Sequence, residues 1–168
     1  MMRISIVLVA VAALAGCSKK KDEGGGGGAG GGGGGGGGGA PAVVKLDTLG
    51  LELDVPGKVE VGKAIGSDGS MLQGSGIGAM TVEVATKPMP LDEAKSDAKM
   101  YSPKNLKDET LPDGWLLTYE NKGAMGTNYF VESRRTIEGK EIKCGTTGGD
   151  AKQVANVVAA CKSLRKAS

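Results

Sequence analysis

The sequence predicts an α+β domain in which an antiparallel β-sheet carries one mid-chain helix and a C-terminal helix packed on it. Three observations lead there. Apolar and polar residues alternate with a period of two over several short stretches. In two other stretches apolar residues recur every three to four positions. Clusters of Gly, Pro, Asn and Asp punctuate the boundaries.

Taken in order, residues 43–64 alternate as strands do, with Leu49, Leu51, Leu53 and Val55 on one face and Glu52 and Asp54 on the other. Pro56-Gly57 breaks the run and Val59 and Val61 resume it, which predicts a hairpin or two short strands around that turn. Gly66-Ser67-Asp68-Gly69-Ser70 has turn chemistry. Gly74-Ser75-Gly76-Ile77-Gly78 reads as a flexible hairpin loop. It lacks the G-x-G-x-x-G spacing and precedes a strand, so it does not offer helix N-terminal amides to a phosphate. The glycines of segment 62–78 leave the strand count there open.

Met80, Val82 and Val84 alternate with Thr81 and Glu83, giving a half-buried strand that Pro88 and Pro90 stop. Residues 91–101 read as a helix with Leu91, Ala94, Ala98 and Tyr101 on one face, Asp92 and Glu93 near its N-terminus, and Pro103 closing it. Its Lys95, Asp97 and Lys99 form a solvated face. A meander follows. Trp115, Leu117 and Tyr119 share one face of a strand, residues 121–127 make a loop around Gly123 and Gly126, and residues 128–137 form a second strand. Glu138-Gly139 is a tight turn into a third strand over 140–147. The last helix spans about 151–166. Asp150 and Gln153 are spaced as a capping box, and Val154, Val157, Val158, Cys161 and Leu164 form its apolar stripe.

The N-terminus carries a different signal. Arg3, the apolar residues 4–14 and the sequence Leu14-Ala15-Gly16-Cys17 resemble the lipobox signal peptide of bacterial lipoproteins. An apolar stretch this short does not span a bilayer, which takes roughly 20 residues. The resemblance implies a diacylglyceryl thioether on Cys17, cleavage before it and acylation of the new amine, for instance by palmitate. An ordinary secretory signal with a stray cysteine is the alternative. The chain then divides into a signal peptide (1–16), a lipidated cysteine with a tether (17–42) and one globular domain (43–168). The lipid bilayer is the first partner, reached through Cys17. By the sorting pattern familiar from such lipoproteins, Ser18 in place of an aspartate favours the outer over the inner membrane.

The tether is nearly all glycine, 24–28 and 30–39 being interrupted by Ala29 alone. Such a coil has an r.m.s. reach of about 25–30 Å from Cys17 to Pro41. The formal net charge of +2 belongs to this region, because Arg3, Lys19, Lys20 and Lys21 outnumber Asp22 and Glu23, while acidic and basic residues balance from position 43 onward. No concentrated basic face points to nucleic acid. The chain has no histidine, which removes Ser-His-Asp and Cys-His catalysis and histidine metal ligands. No metal or cofactor motif is present.

With Cys17 assigned to lipid, Cys144 and Cys161 remain as an even pair in an exported, oxidising setting. Cys144 shares a strand face with Ile142, and Cys161 lies in the helix stripe. At most about 20 Å of extended chain and about 16 Å of helix separate them. A helix folded back over the sheet brings the sulfurs within bonding distance, and a structural disulfide is expected in preference to two buried free thiols. The absence of a C-x-x-C spacing argues against a redox-active pair.

The stretches 49–56 (with G-L-E-L-D-V-P), 81–98 (with P-L-D-E-A) and 114–119 (G-W-L-L-T-Y) resemble the PsbP-like α-β-α sandwich. The resemblance implies architecture and transfers no functional residue. The function expected is a non-catalytic envelope lipoprotein, a binding or assembly module with a protein partner in the envelope. One alternative is a periplasmic small-ligand carrier with a cavity lined by Trp115 and Tyr119, Tyr129 and Phe130 being the other aromatics within reach. The other is a hydrolase using Glu132 with Glu141, or Asp92 with Glu93. Arg134 and Lys143 favour cross-strand ion pairing for the first pair, and the adjacent Asp92 and Glu93 point in different directions.

Overall fold

The period-two stretches assemble into two antiparallel sheets in a computed structural model that describes residues 40–147 and 150–168. The lipobox, Cys17 and residues 17–39 of the tether lie outside the described residues. The smaller sheet holds β1 (Pro41–Leu46), β2 (Leu51–Pro56) and β10 (Arg165–Lys166) in the order β1-β2-β10. The larger has seven strands. These are β3 (Glu60–Lys63), β4 (Gly69–Gly74), β5 (Gly78–Val84), β6 (Lys104–Leu111), β7 (Gly114–Gly123), β8 (Gly126–Ile137) and β9 (Lys140–Thr147), and their spatial order is β3-β4-β5-β9-β8-β7-β6. Helix α1 (Leu91–Lys99) packs on β7, and α2 (Ala151–Ser163) packs on β2, β8 and β9. The expected α+β class, an antiparallel sheet with a mid-chain and a C-terminal helix, is what forms.

Strand alternation places the two helices. Leu116 joins Leu53, Val55, Leu72, Met80, Val82, Val131 and Ile142 in one buried cluster with Val157, Ala160 and Cys161 of α2. Its neighbours Trp115 and Leu117 point the other way and bury against Ala94 and Ala98 of α1. The larger core therefore lies between the large sheet, α2 and the small sheet, while α1 roofs one part of the opposite face. The two helix starts differ. At α2 the Gln153 amide donates to Asp150 Oδ1 at 2.8 Å and the Asp150 amide donates to Gln153 Oε1 at 3.1 Å, the expected capping box. At α1 the N-cap is Pro90, with no side-chain cap, and Asp92 and Glu93 supply negative charge to the first turn.

Several boundaries move from the sequence expectation, each for a local reason. The first hairpin turns at residues 47–50, where the Leu49 amide donates to the Leu46 carbonyl at 2.9 Å and Gly50 takes φ 64°. Pro56-Gly57 is instead the crossing from the small sheet to the edge of the large one. Strand β4 begins at Gly69, inside the stretch read as a turn. A side chain there would meet the backbone of Val82 and Glu83 within 3.0 Å, so this glycine is a close-approach residue. The loop expected over 121–127 contracts to Ala124-Met125, and β7 and β8 extend to meet it. Glu138 and Gly139 both have positive φ, as the tight β8–β9 turn requires.

Strand β6 was not expected at all. Its sequence, KNLKDETL, lacks alternation because it is an exposed edge whose charges discourage further pairing. The mid-chain helix ends at Lys99, leaving Tyr101 outside it and 56 % exposed. The C-terminal helix ends at Ser163 rather than near 166, because Leu164 turns to ψ 130° and Arg165–Lys166 pair with Leu51 and Glu52 of β2.

Candidate functional site

The stop at Pro88 and Pro90 has a structural purpose: residues 87–90 form a strap across the large sheet before α1 begins. The Trp115 indole donates to the Met89 carbonyl at 3.0 Å, and the Met89 amide donates to Glu141 at 3.3 Å. Beneath the strap, Arg134 donates to Glu132 at 3.1 Å and to Glu141 at 3.3 Å, with its guanidinium 3.5 Å from the Lys87 carbonyl. Arg134 is buried, so these partners are what make its charge tolerable there.

Beyond the strap, between the C-terminal half of α1 and strands β5, β8 and β9, the sheet face is open. A groove of about 460 Å³ runs there. Tyr119 and Phe130 form one wall. They are cross-strand partners in the β7–β8 register, and their rings stack 4.6 Å apart and 6° from parallel. Tyr101 and Asp97 approach from α1 and the turn after it, and Thr81, Glu132, Lys143 and Thr147 come from the sheet. Burial raises the Tyr119 phenol above its ordinary range, and the charge of Glu132 and the neighbouring Tyr101 add to it. Tyr119 is thus a hydrogen-bonding phenol at any neutral pH. Lys143 is 3.3 Å from Glu83, whose carboxyl is held below its usual range by the Ser67 hydroxyl first and by Lys143 after it.

The residues singled out in the sequence do not gather at one place. Tyr119 and Phe130 line the groove. Trp115 is buried under α1 and the strap, and borders a separate hollow of about 270 Å³ with Met89, Arg134 and Glu141. Tyr129 alternates to the opposite face of β8 from Phe130. Glu132 and Glu141 do come together, with Arg134 between them: the expected ion pairing, where paired carboxylates for acid–base work would face a substrate. Glu93 pairs instead with Lys87 at 3.7 Å, so Asp92 and Glu93 form no joint site.

Cys144 and Cys161 are bonded to each other with Cα atoms 5.7 Å apart, and both are fully buried. Among the described residues no group of three or more Cys, Asp or Glu is arranged to hold a metal ion, and no helix is long and apolar enough to cross a membrane.

The sequence reading put Tyr101 on a helix face, Asp97 on a solvated face and Glu132 in a carboxylate pair, and so missed that these residues and Thr147 border one groove. The Tyr119–Phe130 pair was within reach, since the two residues are equidistant from Ala124-Met125, but only if the hairpin turn is set there and not spread over seven residues. Comparison of the chain with protein-family models and with curated proteins finds no match to either.

Proposed function

We propose that the protein is a lipid-anchored component of a bacterial envelope whose α+β domain serves as a non-catalytic binding module. The cysteine arrangement carries this reading. The bond between Cys144 and Cys161 accounts for two of the three cysteines and suits an oxidising compartment. The third, Cys17, stands at the end of an apolar run in the Leu14-Ala15-Gly16-Cys17 setting that a lipobox requires. Two or more acyl chains on one cysteine give stable membrane attachment where a single chain is marginal. Ser18 favours the outer membrane, and the glycine tether gives the domain a working radius of about 25–30 Å around its anchor. Helices on both faces of an antiparallel sheet support kinship of the domain with PsbP-like sandwiches, a group in which architecture and activity are uncoupled. The engagement of Glu132 and Glu141 by Arg134 speaks against the hydrolase alternative.

The open groove beside Tyr119 favours, as a second reading, a carrier of a small ligand. Membrane fractionation of Cys17→Ser tests the anchor: the variant leaves the membrane fraction, and retention in carbonate-washed membranes would overturn it. Crosslinking of the intact envelope with a short amine-reactive reagent separates module from carrier. A discrete envelope protein is captured in the first case and none in the second.

A further inference from the structure

The chain contains five aromatic residues, and three of them, Tyr101, Tyr119 and Phe130, border the open groove instead of filling the core. The larger core is built from Leu, Val, Ile, Met, Ala and Cys. Large rings left half-exposed in an otherwise aliphatic design mark a recognition surface, since each offers a wide face at little cost in side-chain freedom. The groove's volume of about 460 Å³ is that of a small-ligand site.

The polar groups decide what chemistry fits. Glu132 shares Arg134, at 3.1 Å, with Glu141, and Lys143 is paired with Glu83 at 3.3 Å. Asp97 is exposed on the rim and makes no ion pair among the described residues. With no unpaired cation among the described residues of the lining, an anion has no partner there, while the surplus of carboxylate suits groups that donate hydrogen bonds. What it does present is hydroxyl and carboxylate groups of Thr81, Thr147, Tyr119, Glu132 and Asp97 beside the half-exposed ring of Tyr101 and the stacked Tyr119–Phe130 pair. A fatty chain would leave these groups desolvated and unpaired.

We propose that this groove binds a neutral saccharide. The polarised C–H face of a pyranose ring meets the electron-rich face of an aromatic side chain, and its hydroxyls, each both donor and acceptor, satisfy the mixed rim. Tyr119, whose phenol stays protonated, donates to a sugar oxygen, and Asp97 and Glu132 accept from sugar hydroxyls. The proposal deepens the binding-module reading by giving the module a ligand class, and it is read out independently of the anchor.

The test is saturation-transfer NMR on the intact chain in phospholipid nanodiscs, with β1,4-linked N-acetylglucosamine tetrasaccharide as probe and the free monosaccharide as a second arm. Saturation of the aromatic protons should reach the sugar ring protons, above the level given by empty discs. An effect with the tetramer alone assigns a glycan chain, and an effect with both assigns a single-ring site; either sustains the proposal. Tyr101→Ala combined with Asp97→Asn, both exposed positions, should weaken binding by about fivefold or more while the thermal midpoint is unchanged. No transfer to either sugar overturns the proposal, as does transfer that the double variant leaves intact. Tighter binding of tetralysine or palmitate than of the tetrasaccharide also overturns it. Membrane release by Cys17→Ser stands or falls separately.

Discussion

Removing the side chain of Arg135 should loosen the end of α2 more than any other single surface change. Its Nη1 donates to three carbonyls just where the helix stops, Cys161 at 3.2 Å, Lys162 at 2.8 Å and Leu164 at 2.7 Å. Its Nε and Nη2 grip Asp113 at 2.8–3.1 Å. The last carbonyls of any helix lack intrahelical donors, and here one cation supplies them from a neighbouring strand while also meeting the negative end of the helix dipole. Hydrogen bonds to a charged group contribute about 1.5–3 kcal/mol each, but these share one guanidinium and water can reach part of the site, so they do not add. For Arg135→Ala we expect a loss of about 3 kcal/mol, which for a domain of this size lowers the melting temperature by roughly 12 °C. Arg135→Lys keeps the charge without the fork and should recover about half, because one ammonium cannot serve the carbonyls and Asp113 together. Urea unfolding of the oxidised protein measures both, and a cycle with Asp113→Ala isolates the pair. A cost below about 0.5 kcal/mol for Arg135→Ala, or full rescue by lysine, would refute the capping account.

Three other outcomes follow from the same geometry. Replacing Cys144 and Cys161 together by alanine should cost about 3 kcal/mol through the freed unfolded chain, given their separation of 17 residues; calorimetry showing an unchanged midpoint would contradict a staple role. Gly114→Ala should cost about 2–3 kcal/mol, because a Cβ there would clash with the Arg134 carbonyl oxygen and force β7 and β8 apart, so wild-type stability in that variant would mean the strands yield easily. Glu83 has a folded-state pKa below its unfolded value of about 4.5, so its contribution is complete above that pH and fades as pH falls through the folded value. Stability profiles against pH should therefore show a shallower acid decline in Glu83→Gln, and superimposable slopes below pH 4.5 would exclude the effect.

Sequence made the most of the structure legible where one face of an element is buried. The Val82–Val84 strand, the α2 stripe and the Cys144–Cys161 pair all follow from periodicity and chain geometry. The pattern failed where burial does not impose a period. Strand β6 has both faces largely in solvent and is held by backbone pairing to β7, which leaves no trace in its residue types. Strand β4 was hidden because Gly69 serves close packing while imitating a turn. Nothing in the local sequence marks Arg135, because its role depends on a helix end 26–29 residues away. The groove was half legible: its aromatics were visible, but which of them share a face depends on a register fixed by the two-residue turn at Ala124-Met125.

The arrangement of the chain's last residues also bears on the order in which the domain can fold. Arg165 pairs with Glu52 and Asp54, β10 completes the small sheet by joining β2, and Cys161 closes onto Cys144. Partners more than 100 residues apart must meet before the small sheet is whole, and one of each pair lies within a few residues of Ser168. Until residues 151–166 pack, the main apolar face of the large sheet stays uncovered, and these long-range pairings make the small sheet the later part of the domain to complete. The bond between Cys144 and Cys161 then fixes this closing segment covalently, a latch on the core that it covers.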